Sequence, residues 1–88
     1  MRHINLTGRE VSVVRAIGFA DKATGADILE HTRMEPEDVA DVLNGMMSAG
    51  FIETIPYREE VPVGDLSETA FEINPAYAGQ LRTAMLRR

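Results

Sequence analysis

The sequence predicts an α+β domain in the order helix, helix, helix, strand, long hairpin, strand, helix. Three stretches carry apolar residues at helical spacing, and each opens on a capping signal. Two further stretches, 51–57 and 69–73, alternate apolar and polar residues on either side of a polar segment. At 88 residues there is room for one core only, so residues 1–88 are read as a single domain.

The first helix is predicted over roughly 8–19. Thr7 and Glu10 form a Thr-x-x-Glu capping box, and Leu6 before it is placed to act as a hydrophobic staple. Val11, Val14, Ile17 and Gly18 then share one face, with Val13 as a neighbouring apolar position. Asp21, Lys22 and Gly25 break the pattern. Thr24 with Asp27 three residues on is a second N-cap signal, and Ile28 and Leu29 point inward from a short helix. Met34-Glu35-Pro36 restarts the chain, with Pro36 suited to a first helical turn where its missing N–H is not needed. Glu35, Glu37 and Asp38 complement the positive end of that third helix's dipole.

Asn44-Gly45 resembles a turn, yet Met46 and Met47 continue the periodicity of Val39, Val42 and Leu43, so the helix is carried through it. An interior Gly45 costs about 1 kcal/mol relative to alanine, which a packed helix tolerates. Gly50 is the expected stop, as a left-handed cap. Phe51 to Tyr57 then reads as a strand whose Pro56 marks an edge or an end. Arg58 to Glu68 is a long polar hairpin, and Thr69 to Ile73 returns antiparallel. Asn74-Pro75 caps a last helix over 75–86, with Tyr77, Ala78, Leu81, Met85 and Leu86 inward.

Composition narrows the function classes. There is no cysteine, hence no disulfide framework or thiolate metal site, and the N-terminus lacks a signal peptide's apolar run; the expectation is a cytoplasmic protein. No apolar run approaches the 18 or so residues of a membrane-spanning helix. His3 and His31 have no ligand-spaced partner, and Glu59, Glu60, Asp65 and Glu68 do not match a calcium loop, so no metal is expected. Without a glycine-rich phosphate loop or a His-centred triad, neither a cofactor nor an enzymatic role is expected.

Charge is unevenly distributed. Residues 35–68 hold nine acids and one base, Arg58, a local net of −8, while the rest of the chain sums to +3. Arg82, Arg87 and Arg88 give the last helix a basic end that complements its dipole.

Leu6-Thr7-Gly8-Arg9-Glu10 with Val13-Val14 and Ile17, then Thr24 to Leu29, then Val39, Val42-Leu43, Met46 and Gly50-Phe51-Ile52 resemble the winged helix-turn-helix fold of prokaryotic transcriptional regulators, the MarR-like group above all. The resemblance covers roughly 6–73, with 74–88 as the C-terminal helical segment. It implies a three-helix core containing a helix-turn-helix, a two-stranded antiparallel wing and a C-terminal helix. It also implies a small DNA-binding regulator, with contacts from Arg33, Asn44 and Arg58. Two features depart from that group. The turn before the third helix reads His31-Thr32-Arg33-Met34 without the usual glycine, so a left-handed Arg33 would cost roughly 1–2 kcal/mol. The outward stripe of the third helix is Glu37, Asp41, Asn44 and Ser48, where the group carries cations or neutral polar residues.

Acids beside phosphates forgo counterion release, the source of nearly all non-specific DNA affinity. A second reading follows from the charges: a protein-interaction module whose third helix and wing offer an acidic face to a basic partner. Arg58 is then a strand-end arginine paired with Glu59 or Glu60. Met46 is read as core and Met47 as partly exposed. The stripe Tyr77, Leu81, Met85 is suited either to a homodimer contact or to packing on the first helix.

Overall fold

The computed structural model describes residues 4–86. Its elements are α1 (Gly8–Ile17), β1 (Ala23–Thr24), α2 (Gly25–Thr32), α3 (Pro36–Ser48), β2 (Ile52–Ile55), β3 (Ala70–Ile73) and α4 (Ala78–Leu86), with 3-10 turns at Val63–Glu68 and Pro75–Tyr77. The fold is α+β. His3, Arg87 and Arg88 lie outside the described residues.

Local chemistry sets the helix ends. Both capping boxes form: the Thr7 hydroxyl accepts the Glu10 N–H and the Glu10 carboxylate accepts the Thr7 N–H, and Thr24 and Asp27 repeat the exchange at α2. Leu6 and Val11, at the two staple positions, are both buried in the core. Gly18, expected on the inward face of a helix running to 19, instead ends α1 at Ile17. Its φ of 78° turns the chain away while its N–H donates to the Val14 carbonyl. At α3, Gly50 adopts φ 88°, its N–H donates to the Met47 carbonyl, and the Phe51 N–H reaches back to Met46. That pair of bonds is a Schellman cap, so the expected stop at Gly50 forms with Ala49 as the last turn residue.

The sheet has three antiparallel strands in the order β1-β3-β2, one more than the expected two. Ala23 and Thr24 pair with Phe71 and Ala70. A two-residue strand shows no alternation, and Thr24 also serves as the N-cap of α2, so the pairing leaves no periodic trace. Ile52, Thr54, Phe71 and Ile73 face the core, and Glu53 stands directly opposite Glu72 on the other face. The strands are shorter than expected, 52–55 and 70–73, because Phe51 belongs to the helix cap. Beyond Ile55, Thr54 draws the chain off the sheet: its hydroxyl donates to the Pro56 carbonyl and accepts the Arg58 N–H. The core joins Val13, Val14, Ile28, Val39, Leu43, Met46, Ile52, Phe71 and Leu81, all essentially inaccessible. No buried side-chain nitrogen or oxygen among the described residues lacks a partner.

The segment expected to be a polar hairpin is packed. Val61 and Leu66 are each 1% exposed, and the 3-10 turn from Val63 lies on α2. Contact is closest at Gly25, whose N–H donates to the Thr69 carbonyl and whose missing Cβ would overlap the Leu66 carbonyl. The last helix also departs from expectation. It opens as a 3-10 turn, because Asn74 caps Ala76 while donating its amide to the Gly50 carbonyl, so its first turn is fixed to the end of α3. Leu86, expected inward, is 87% exposed, and Ala84 is buried in its place beside Leu81. Three residues on from Leu81, Ala84 continues the buried stripe, whereas Leu86 falls outside it.

Gly25→Ala is expected to destabilise by roughly 1–3 kcal/mol, because the added methyl meets backbone that must shift as a unit. Gly45→Ala meets nothing within 4 Å and is expected to stabilise by about 1 kcal/mol. Urea denaturation of both variants checks the pair, and the two shifts should have opposite signs.

Candidate functional site

The 56–69 loop is joined to α3 at Asn44. Glu37 and Asp41 are exposed on the helix. Asn44, three residues after Asp41, falls on the same side. Its side chain bonds the loop twice: Nδ2 donates to the Val61 carbonyl at 2.9 Å and Oδ1 accepts the Val61 N–H at 2.8 Å. A side-chain amide matches a peptide group in both senses, one donor and one acceptor. Asn44, expected to face a groove or partner, therefore holds the loop against the helix. Ser48, one turn further, is exposed.

The clamp has an electrostatic consequence. It brings Val61 onto α3, and the residues immediately before it are Glu59 and Glu60, both exposed. The exposed acids of the loop are thus carried by a segment fixed to the helix that exposes Glu37 and Asp41. Arg58, the only base between residues 35 and 68, pairs with Asp65 at 3.3 Å. It was expected to pair with Glu59 or Glu60. The 3-10 turn returns Asp65 to it instead, and the Thr69 hydroxyl donates to the Asp65 carbonyl to hold that turn. At the start of α3, the partly exposed Asp38 pairs with the exposed Arg9 of α1 at 3.6 Å. Pairs of this kind contribute little to stability, at most about 1 kcal/mol.

Arg33 caps α2 in the left-handed region, φ 59° and ψ 21°, with its N–H on the Leu29 carbonyl. The strain anticipated from the missing glycine is therefore present, and it sets the turn between α2 and α3. Arg33, Asp27, Glu30 and His31 line a shallow depression whose rim mixes both charge signs. No group of three or more His, Asp or Glu side chains among the described residues could hold a metal ion.

On the opposite end, Tyr77 stacks edge-on against Phe51 with ring centroids 5.1 Å apart. Leu81 is buried within the chain's own core, and Met85 is half-buried beside it. Arg82 lies 4.8 Å over the ring of Phe19, a cation–π contact that ties α4 to the chain after α1. The residues that sequence reasoning passed over are Tyr57 and Val63, 74% and 44% exposed. Tyr57 falls in the alternating stretch 51–57 and Val63 in a polar segment, so neither pattern marks them as exposed apolar residues. No helix among the described residues is long and apolar enough to cross a membrane. Compared with protein-family models, with curated protein sequences and with solved structures, the chain gives no match.

Asn44→Ala is expected to cost about 1–3 kcal/mol, since it strands a buried donor and acceptor of Val61. A merely outward-facing residue would fall within about 0.5 kcal/mol of neutral. Arg33→Gly removes the left-handed penalty and is expected to gain about 1 kcal/mol, less the extra freedom of glycine in the unfolded chain. Equilibrium unfolding of each variant reads both effects.

Proposed function

We propose that this chain is a winged-helix scaffold working as a protein-interaction module, with α3 and the loop offering an acidic face to a basic partner. The winged-helix reading is supported by the succession of three helices, the β1-β3-β2 sheet and the tight left-handed turn at Arg33. One observation carries the functional reading. The Asn44–Val61 clamp joins the loop to α3, so that the exposed Glu59 and Glu60, which precede Val61, are carried by a loop docked on a helix that exposes Glu37 and Asp41. Arg58, the only base between residues 35 and 68, is paired with Asp65.

A duplex approaching this face meets four carboxylates and gains no counterion release from them. A lysine- or arginine-bearing segment meets the same four as partners, with charge complementarity raising its rate of encounter. The DNA-binding alternative would rest on Arg33 and on the scaffold's resemblance to MarR-like regulators, and the charge of α3 opposes it.

Fluorescence anisotropy with a labelled non-specific duplex and, separately, a labelled lysine-rich peptide tests the proposal at 50 and 200 mM salt. The peptide should bind and weaken with salt, and the duplex should not bind at either concentration. The double variant Glu37→Lys with Asp41→Lys should reverse both preferences. Wild-type duplex binding with a log–log salt slope near −0.9 per neutralised phosphate would overturn the proposal in favour of DNA.

A further inference from the structure

The chain has three asparagines, and the residues that follow them differ: Leu6 after Asn5, Gly45 after Asn44 and Pro75 after Asn74. An asparagine side chain deamidates when the backbone nitrogen of the next residue attacks its Cγ. Proline has no N–H to give up for that attack, leucine hinders it, and glycine, without a Cβ, leaves it open. Asn44-Gly45 is the one pair in the sequence suited to the reaction, and Asn44 is also the residue that holds the loop to α3.

The folded chain opposes the reaction in two ways. α3 runs through the pair from Pro36 to Ser48, so the helical ladder occupies the Gly45 N–H and keeps that nitrogen out of line with Cγ. The Asn44 amide is tied at both ends, Nδ2 to the Val61 carbonyl and Oδ1 to the Val61 N–H. Packing adds no third restraint: Gly45 is exposed, and nothing lies within 4 Å of the place its Cβ would take. Once α3 and the loop part here, both the Gly45 nitrogen and water can reach the side chain.

We infer that Asn44 is a deamidation site protected by the docked loop, and that its conversion releases the loop permanently. In the opened chain the Gly45 nitrogen gives up its proton and bonds to Cγ. The Cγ–Nδ2 bond breaks, and Nδ2 leaves as ammonia with that proton. Water then opens the five-membered imide at either carbonyl, leaving aspartate or isoaspartate, with no oxidant or reductant involved. An ionised carboxylate has no donor. One of its oxygens would face the Val61 carbonyl, acceptor against acceptor, across the 2.9 Å now spanned by a hydrogen bond. Isoaspartate also adds a methylene to the helix backbone. Either product ends the clamp, and the lost amide does not return.

The test compares wild type with Gly45→Ala and Asn44→Asp. Wild type and Gly45→Ala are incubated at mildly alkaline pH, native and in urea, and deamidation is mapped by peptide mass spectrometry. In urea, wild type should deamidate faster at Asn44 than at Asn5, and not at Asn74. The native chain should convert Asn44 roughly tenfold or more slowly, the factor equivalent to the two hydrogen bonds that hold it. Gly45→Ala should slow the reaction in urea, where only the added methyl can act. Residue-resolved hydrogen exchange is then followed in Asn44→Asp and in deamidated wild type separated by ion exchange. In both, the Val61 amide should exchange as fast as those of Glu59 and Glu60 while Phe71 stays slow. Equal native and urea rates at Asn44 overturn the protection, and a Gly45→Ala rate matching wild type in urea overturns the imide route. A Val61 amide that stays slow, or a Phe71 amide that becomes fast with it, overturns the local release of the loop.

Discussion

The paired hydrogen bonds between the Asn44 amide and the Val61 backbone determine what kind of surface this molecule has. Their own net contribution is modest, about 0.5–1.5 kcal/mol apiece. Burial of Val61 and Leu66 is the larger stabilisation, about 1.5–3 kcal/mol for each side chain. The division of labour follows from those magnitudes. Apolar burial holds the loop down, and Asn44 decides which residue lands on α3. A shift of one residue along the loop would leave the amide facing the wrong peptide groups and lift Val61 out of the core. Gly25 performs the matching task at the other end, where only a residue without a Cβ admits the Leu66 carbonyl.

With the loop docked, the electrostatics follow from sequence order. Glu59 and Glu60 come directly before the clamped Val61, and Asp41 comes one turn before Asn44. Arg9 and Arg58 each lie beside an aspartate, Asp38 and Asp65. The sheet adds to the same bias through the opposed Glu53 and Glu72, a cross-strand arrangement that costs a few tenths of a kcal/mol rather than contributing. Like charges opposed across the strands, and acids along the exposed side of a helix, are arrangements that add nothing to internal stability.

Much of the architecture was legible because it is written in local chemistry. Thr7 with Glu10, Thr24 with Asp27, Pro36 and Gly50 each act within a few residues, and each takes the role that its spacing predicts. Periodicity through Asn44-Gly45 correctly carried α3 past an apparent turn, because the buried Val39, Leu43 and Met46 outweigh one glycine. What was not legible depends on partners distant in sequence. β1 exists only because Phe71 and Ala70 lie beside it. The loop is packed because Val61 and Leu66 find α3 and α2, and two isolated apolar residues among acids show no period. Asn44 illustrates the limit for the site. Its position on the outward stripe was readable, but its commitment to Val61, seventeen residues away, was not. Arg58 likewise finds a partner that only the 3-10 turn supplies.

The account stands on the loop being a fixed part of the fold, and the amide of Val61 reports this directly. Native-state hydrogen exchange, followed residue by residue, compares that amide with the core strand amide of Phe71 and with the neighbouring loop amides of Glu59 and Glu60. If the Asn44 clamp operates as described, Val61 exchanges only on opening that approaches global unfolding, close to Phe71 and far slower than the two glutamates. Exchange of Val61 at the rate of Glu59 and Glu60 would mean that the loop leaves α3 freely. In that case the Asn44 clamp would not hold in solution and α3 would be uncovered.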